Sequence, residues 1–178
     1  MKQRWALVVL GVWLMGSICT SIVATQNFYT VDRLLAERDS HGAFAAMVQK
    51  LGAPAARELL RYLSSEINRL YFQMWNGAQL VLGAIALWLL ADSRRQDAAF
   101  KCVAGMFAIV ILMLVYLTPA IVSLGRELDF VPRDPAPPGM SRFWVLHAAY
   151  TSLEMLKLAI GLLTAWMVTR RSSTVPAP

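Results

Sequence analysis

No charged residue interrupts the chain between Arg69 and Asp92, and three further stretches repeat that pattern with few or no charges. A helix of about 20 apolar residues crosses the hydrocarbon core of a bilayer, because each backbone N–H and C=O is satisfied inside the segment. The four runs cover residues 5–24, 70–91, 102–124 and 143–168. They predict an all-α fold, an integral membrane four-helix bundle. It forms one domain over residues 1–171, with short amphipathic helices in the first long connection and a disordered tail at 172–178. Hydrophobic residues make up 57% of the 178, and the 16% that are charged gather in the gaps between runs. A soluble domain would spread those charges along amphipathic faces. The net charge of +6 is not backed by a basic face interleaved with aromatics, so nucleic acid is excluded as a partner.

The first run follows Lys2 and Arg4 and has two readings. A charged start and Ile22-Val23-Ala24 as a cleavage site fit a signal peptide. A retained helix is the preferred reading, since the run is long for a signal core. It also offers Gly16 with Thr20 and Ser17 with Ser21 as small-xxx-small pairs for close packing. Phe28, Val31 and Leu35 keep helical spacing and carry the helix past the membrane surface. Ser40-His41-Gly42 breaks it, residues 43–51 read as a short amphipathic helix, and Gly52-Ala53-Pro54 breaks the chain again. In the second span Asn76, Gln79 and Gly83 form one stripe. The third is the most uniformly apolar, and Thr118-Pro119 predicts a kink near its end, with Thr118 re-satisfying a freed carbonyl. Four prolines between 130 and 141 predict an extended loop, after which Ser141 caps the fourth span.

The fourth run carries His147, Thr151, Glu154 and Lys157, residue types that are costly in hydrocarbon and therefore face a protein interior or a wet cavity. On a helix these four and Gly161 fall within about a third of the circumference. Glu154 and Lys157 are spaced to pair directly, with Asn76 and Gln79 across the interface. One reading is a self-neutralised ion pair that sets helix register. The other is a proton or ion pathway in which Glu154 titrates and His147 relays.

A haem needs facing histidines, and only His147 lies in a span. Metal-ligand clusters, phosphate loops and catalytic triads have no matching pattern, so no cofactor, no metal and no enzymatic activity are expected. Cys19 and Cys102 sit in or beside apolar runs and read as packing residues.

With four spans, both termini share a side with the turn at 92–101. That side gathers Lys2, Arg4, Arg94, Arg95, Lys101, Arg170 and Arg171 into short segments, so both termini are expected to be cytoplasmic.

The layout resembles the transmembrane protein 205-like family, a domain of unknown function (family 4149). The likeness rests on the Trp13-xx-Gly16 start, the long first connection, Thr118-Pro119, and His147-Ala148-Ala149-Tyr150-Thr151 opening the fourth span, and it extends over most of the chain. It implies a small four-helix membrane bundle and brings no catalytic residue with it. The expected function is a structural, assembly or accessory role. The alternative is a small proton- or ion-linked transporter using Glu154, Lys157 and His147. The expected partners are the lipid bilayer and either a second copy or another membrane protein.

Overall fold

The computed structural model describes residues 1–37, 42–91 and 98–173, with side chains through Arg170. The break at Ser40-His41, the Arg94-Arg95 turn and most of the C-terminal tail lie outside the described residues. The elements are α1 (Lys2–Ala36), α2 (Gly42–Leu51), α3 (Ala53–Leu90), α4 (Ala98–Leu112), a π-helical turn (Met113–Leu117), α5 (Thr118–Glu127) and α6 (Met140–Ser173). α4, the π turn and α5 run on as one rod. The four rods are long and apolar enough to cross a membrane. They close into a ring in which α1 packs on α3, α3 on α4, α4 on α6, and α6 back on α1. The all-α bundle read from the sequence is the observed fold.

The helices outrun the predicted spans because their apolar stripes continue beyond the uncharged cores. Val31 and Leu35 of α1 are buried with Val48 of α2 and Ala56 of α3, and Phe44 and Leu60 pack against them. This second core lies beyond the spans and fastens α2 to the projecting ends of α1 and α3. Gly52 turns the chain between α2 and α3 with φ +84, a conformation open to glycine, and Pro54 stands in the first turn of α3. α6 begins two residues earlier than a cap at Ser141 implies. Met140 N–H already bonds Pro137 O, so Ser141 lies inside the first turn and not at its cap.

The interior of the spanning region divides along its length. At the end bearing the termini it is apolar, built from Ala6, Leu10, Leu90, Ala99, Val103 and Val168. Small residues admit large ones at the crossings. Trp75 lies over Gly16, Phe107 and Trp13 over Gly83, and Leu14 and Met106 over Gly161. A β-carbon at any of these glycines would collide with those side chains. The Gly16 half of the predicted small-residue pairs is therefore used inside the protomer.

The bundle's outer face is apolar as well, with Val8, Val12, Met15, Ile18, Val81, Val115, Met155, Leu162 and Leu163 exposed along the rods. Such a continuous apolar coat is what a lipid-facing surface requires and what a water-facing one avoids. At the terminal end Lys2 lies over the Trp88 ring at 5.4 Å and Arg170 over Trp166 at 4.1 Å, a basic-aromatic girdle suited to a membrane–water boundary.

Candidate functional site: a buried polar network

Polar side chains from all four rods meet inside the bundle, from its middle towards the loop end. α6 contributes Glu154 and Lys157, one turn apart, and Lys157 Nζ donates to Glu154 Oε1 at 2.7 Å. The Lys157 side chain is 1% exposed, too deep to snorkel out. Its ammonium also donates to Gln79 Oε1 on α3, across the diagonal of the ring. Trp13 of α1 donates its indole N–H to the same oxygen at 2.9 Å. Gln79 Nε2 donates to Asn76 Oδ1 at 3.4 Å, and Tyr150 O–H of α6 donates there at 3.5 Å. Asn76 Nδ2 then donates to Thr118 Oγ1 of α5 at 2.9 Å. The chain of contacts runs from the Thr118 hydroxyl near the π turn to the Lys157 ammonium.

The physical logic is that of low dielectric. An isolated ammonium or carboxylate in this interior would cost several kcal/mol or more. Pairing removes most of that cost, and Gln79, Asn76 and Thr118 carry the hydrogen bonding on from the pair. One atom stands apart: Glu154 Oε2 is buried without a hydrogen-bond partner among the described residues.

Of the residues singled out from sequence, Asn76, Gln79, Glu154 and Lys157 come together, while His147 and Thr151 stay outside. His147 is exposed, with its ring 5.4 Å from Phe143 and 6.2 Å from Trp144. Thr151 is exposed and returns its hydroxyl to His147 O at 3.0 Å. The buried side of α6 is instead Tyr150, Glu154, Lys157, Gly161, Thr164 and Val168. At about 100° per residue this stripe centres about 40° from Glu154 on the Lys157 side, which leaves Thr151 about 100° away. His147 is closer in angle but lies one turn before Tyr150 and is exposed.

Trp13, Thr118 and Tyr150 were missed. Tyr150 had a signal, one turn before Glu154 on the same stripe. Trp13 had none, since an aromatic in an apolar run reads equally well as packing. Thr118 was expected to serve its own backbone beside Pro119; in the structure its hydroxyl accepts from Asn76, and the chain widens just before the proline into the π turn. The amide N–H of Thr118 reaches Met113 O five residues back, the wide spacing of that turn.

A second polar cluster lies at the loop end. Asn68 of α3 donates to Ala24 O at 2.9 Å and accepts from Asn27 at 2.6 Å, locking α3 to α1. Arg69 bonds Asp129 at 2.9 Å and also pairs with Glu66, tying α3 to the segment after α5. Among the described residues no three His, Cys, Asp or Glu side chains converge to hold a metal ion.

The fold and the network together define an all-α bundle of four long apolar helices with a polar centre. No family model, curated protein or solved structure matches the chain.

Proposed function

We propose that this chain is a non-enzymatic, multi-pass integral membrane protein with a structural, assembly or accessory role, both termini being cytoplasmic. On this reading the polar network acts as a register lock for the four helices. The observation that carries it is the state of Lys157: its ammonium is shut in the bundle and held by Glu154 and Gln79. A network in which α1, α3, α5 and α6 each hold one another's polar groups penalises any rotation or slip of one helix. The motif-level resemblance to the transmembrane protein 205-like family bears on the fold and membrane location of this reading and not on the role.

The second reading, a small proton- or ion-linked transporter, is favoured by the partnerless Glu154 Oε2. Two features weigh against it. His147, the expected relay, lies apart from the network. The route from Thr118 to the ion pair passes through the carboxamides of Asn76 and Gln79. A carboxamide passes on a proton only by way of its high-energy imidic tautomer, so it is a poor relay.

Proteoliposomes loaded with a pH-sensitive dye separate the readings. Proton leak equal to that of empty liposomes under an imposed gradient is expected; a leak that Glu154→Gln abolishes would hand the lead to the transporter. Orientation is tested with an impermeant thiol reagent on intact cells, after Cys19 and Cys102 are replaced by Ala. Cysteine at Ala136 should react and cysteine at Ala98 should not, and the opposite pattern would invert the topology.

A further inference from the structure

A groove of about 630 Å³ opens between α3 and α5, and its chemistry changes along its length. Its walls include Gln73, Leu114, Val122, Ser123, Arg126 and Glu127. Leu114 belongs to the π turn, whereas Arg126 and Glu127 stand in the last turn of α5. Helical rise puts about 18 Å between Leu114 and Arg126, comparable with the ~15 Å hydrocarbon depth of one leaflet. The groove therefore begins in hydrocarbon and ends at headgroup level. Wide helical turns such as the one on its wall recur at functional sites.

The charged end is bipolar. Arg126 presents a guanidinium whose side chain is 61% exposed and whose ion-pair partner, Glu66, is 3.7 Å away, leaving donors free for a ligand. Glu127 is next to it in the chain and exposed. We propose that the groove binds a zwitterionic phospholipid with a primary ammonium headgroup, of the phosphatidylethanolamine type. The lipid phosphate accepts from Arg126, and the ammonium donates to Glu127. Gln73 and Ser123 meet the ester and glycerol oxygens, and one acyl chain lies along Val122 and Leu114. A choline headgroup has no N–H to give Glu127. A purely anionic headgroup lacks the ammonium that would offset that carboxylate.

The inference rests on the bundle standing in a bilayer as proposed above, and one preparation tests both. The full chain is extracted from membranes, delipidated in mild detergent, and offered equal amounts of phosphatidylethanolamine and phosphatidylcholine of matched acyl chains. Bound lipid is counted by native mass spectrometry. A charge-assisted hydrogen bond present in one lipid only predicts a preference of about tenfold for phosphatidylethanolamine. Glu127→Gln should bring the ratio close to one, and Arg126→Ala should weaken retention of both lipids. Equal retention by the unmodified chain, or a preference that survives Glu127→Gln, overturns the proposal. Displacement of the lipid by equimolar soluble phosphoethanolamine overturns it in favour of a free solute. Release of the chain from membranes by alkaline carbonate overturns the membrane reading and the lipid site with it, whereas an embedded chain without lipid preference overturns the lipid site alone.

Discussion

Lys157 Nζ lies 2.7 Å from Glu154 Oε1, one turn back on the same helix, and both residues are enclosed by the other three rods. The pair carries its own neutrality inside α6, so the helix can enter hydrocarbon without a counter-ion from elsewhere. Removing one partner leaves a charge stranded at low dielectric, at a typical cost of about 3–5 kcal/mol, whereas replacing both with apolar residues is often nearly neutral. Glu154→Leu and Lys157→Leu should each lower the melting temperature in detergent, and the double variant should recover most of the loss. Strictly additive losses would show that the two residues are not coupled.

Gln79 Oε1 receives both the Lys157 ammonium and the Trp13 indole, so the two partners of that oxygen are not equivalent in consequence. Trp13→Phe deletes one donor while the oxygen keeps another, and should cost about 1–3 kcal/mol including the lost ring volume. Gln79→Leu strands the indole N–H and removes one acceptor from Lys157, and should cost more than Trp13→Phe. Chemical denaturation in a fixed detergent ranks them; the reverse order would mean that ring packing, not hydrogen bonding, dominates at Trp13.

Two helical glycines, Gly83 and Gly105, stand in opposite surroundings. Gly83 faces Phe107 and Trp13, so Gly83→Val should overpack the crossing by about 1–3 kcal/mol. An added β-carbon at Gly105 meets nothing within 4 Å, so Gly105→Ala should stabilise the helix by about 0.5–1 kcal/mol. Thermal shifts of opposite sign are expected, and a loss at both positions would contradict the packing described.

Asn68 fastens α3 to α1 with one donor and one acceptor, to Ala24 O and from Asn27. Asn68→Leu should remove both ties, leave the Asn27 amide without its partner, and cost about 1–3 kcal/mol. Hydrogen exchange reads this locally. Amides of α1 beyond residue 24 should exchange faster in the variant, while those of α6 stay as protected as before.

Helix class and the four runs long and apolar enough to cross a membrane were determined by the sequence alone. They depend on local properties: the length of an uncharged run, the φ that Gly52 adopts, and the donor that Pro54 lacks at a position where none is needed. The Glu154–Lys157 pair was equally legible, because i,i+3 spacing brings two side chains together whatever the rest of the chain does. Tertiary structure decided which residues joined them. Periodicity defines an apolar or polar face only to within tens of degrees, and the rotation of α6 in the bundle turned that face towards Tyr150 and Thr164 and away from Thr151. His147, near the loop end of α6, stayed exposed and outside the network. Trp13 and Thr118 entered because diagonal partners in a four-membered ring bring their side chains to one axis, a convergence that sequence spacing within any single helix does not contain.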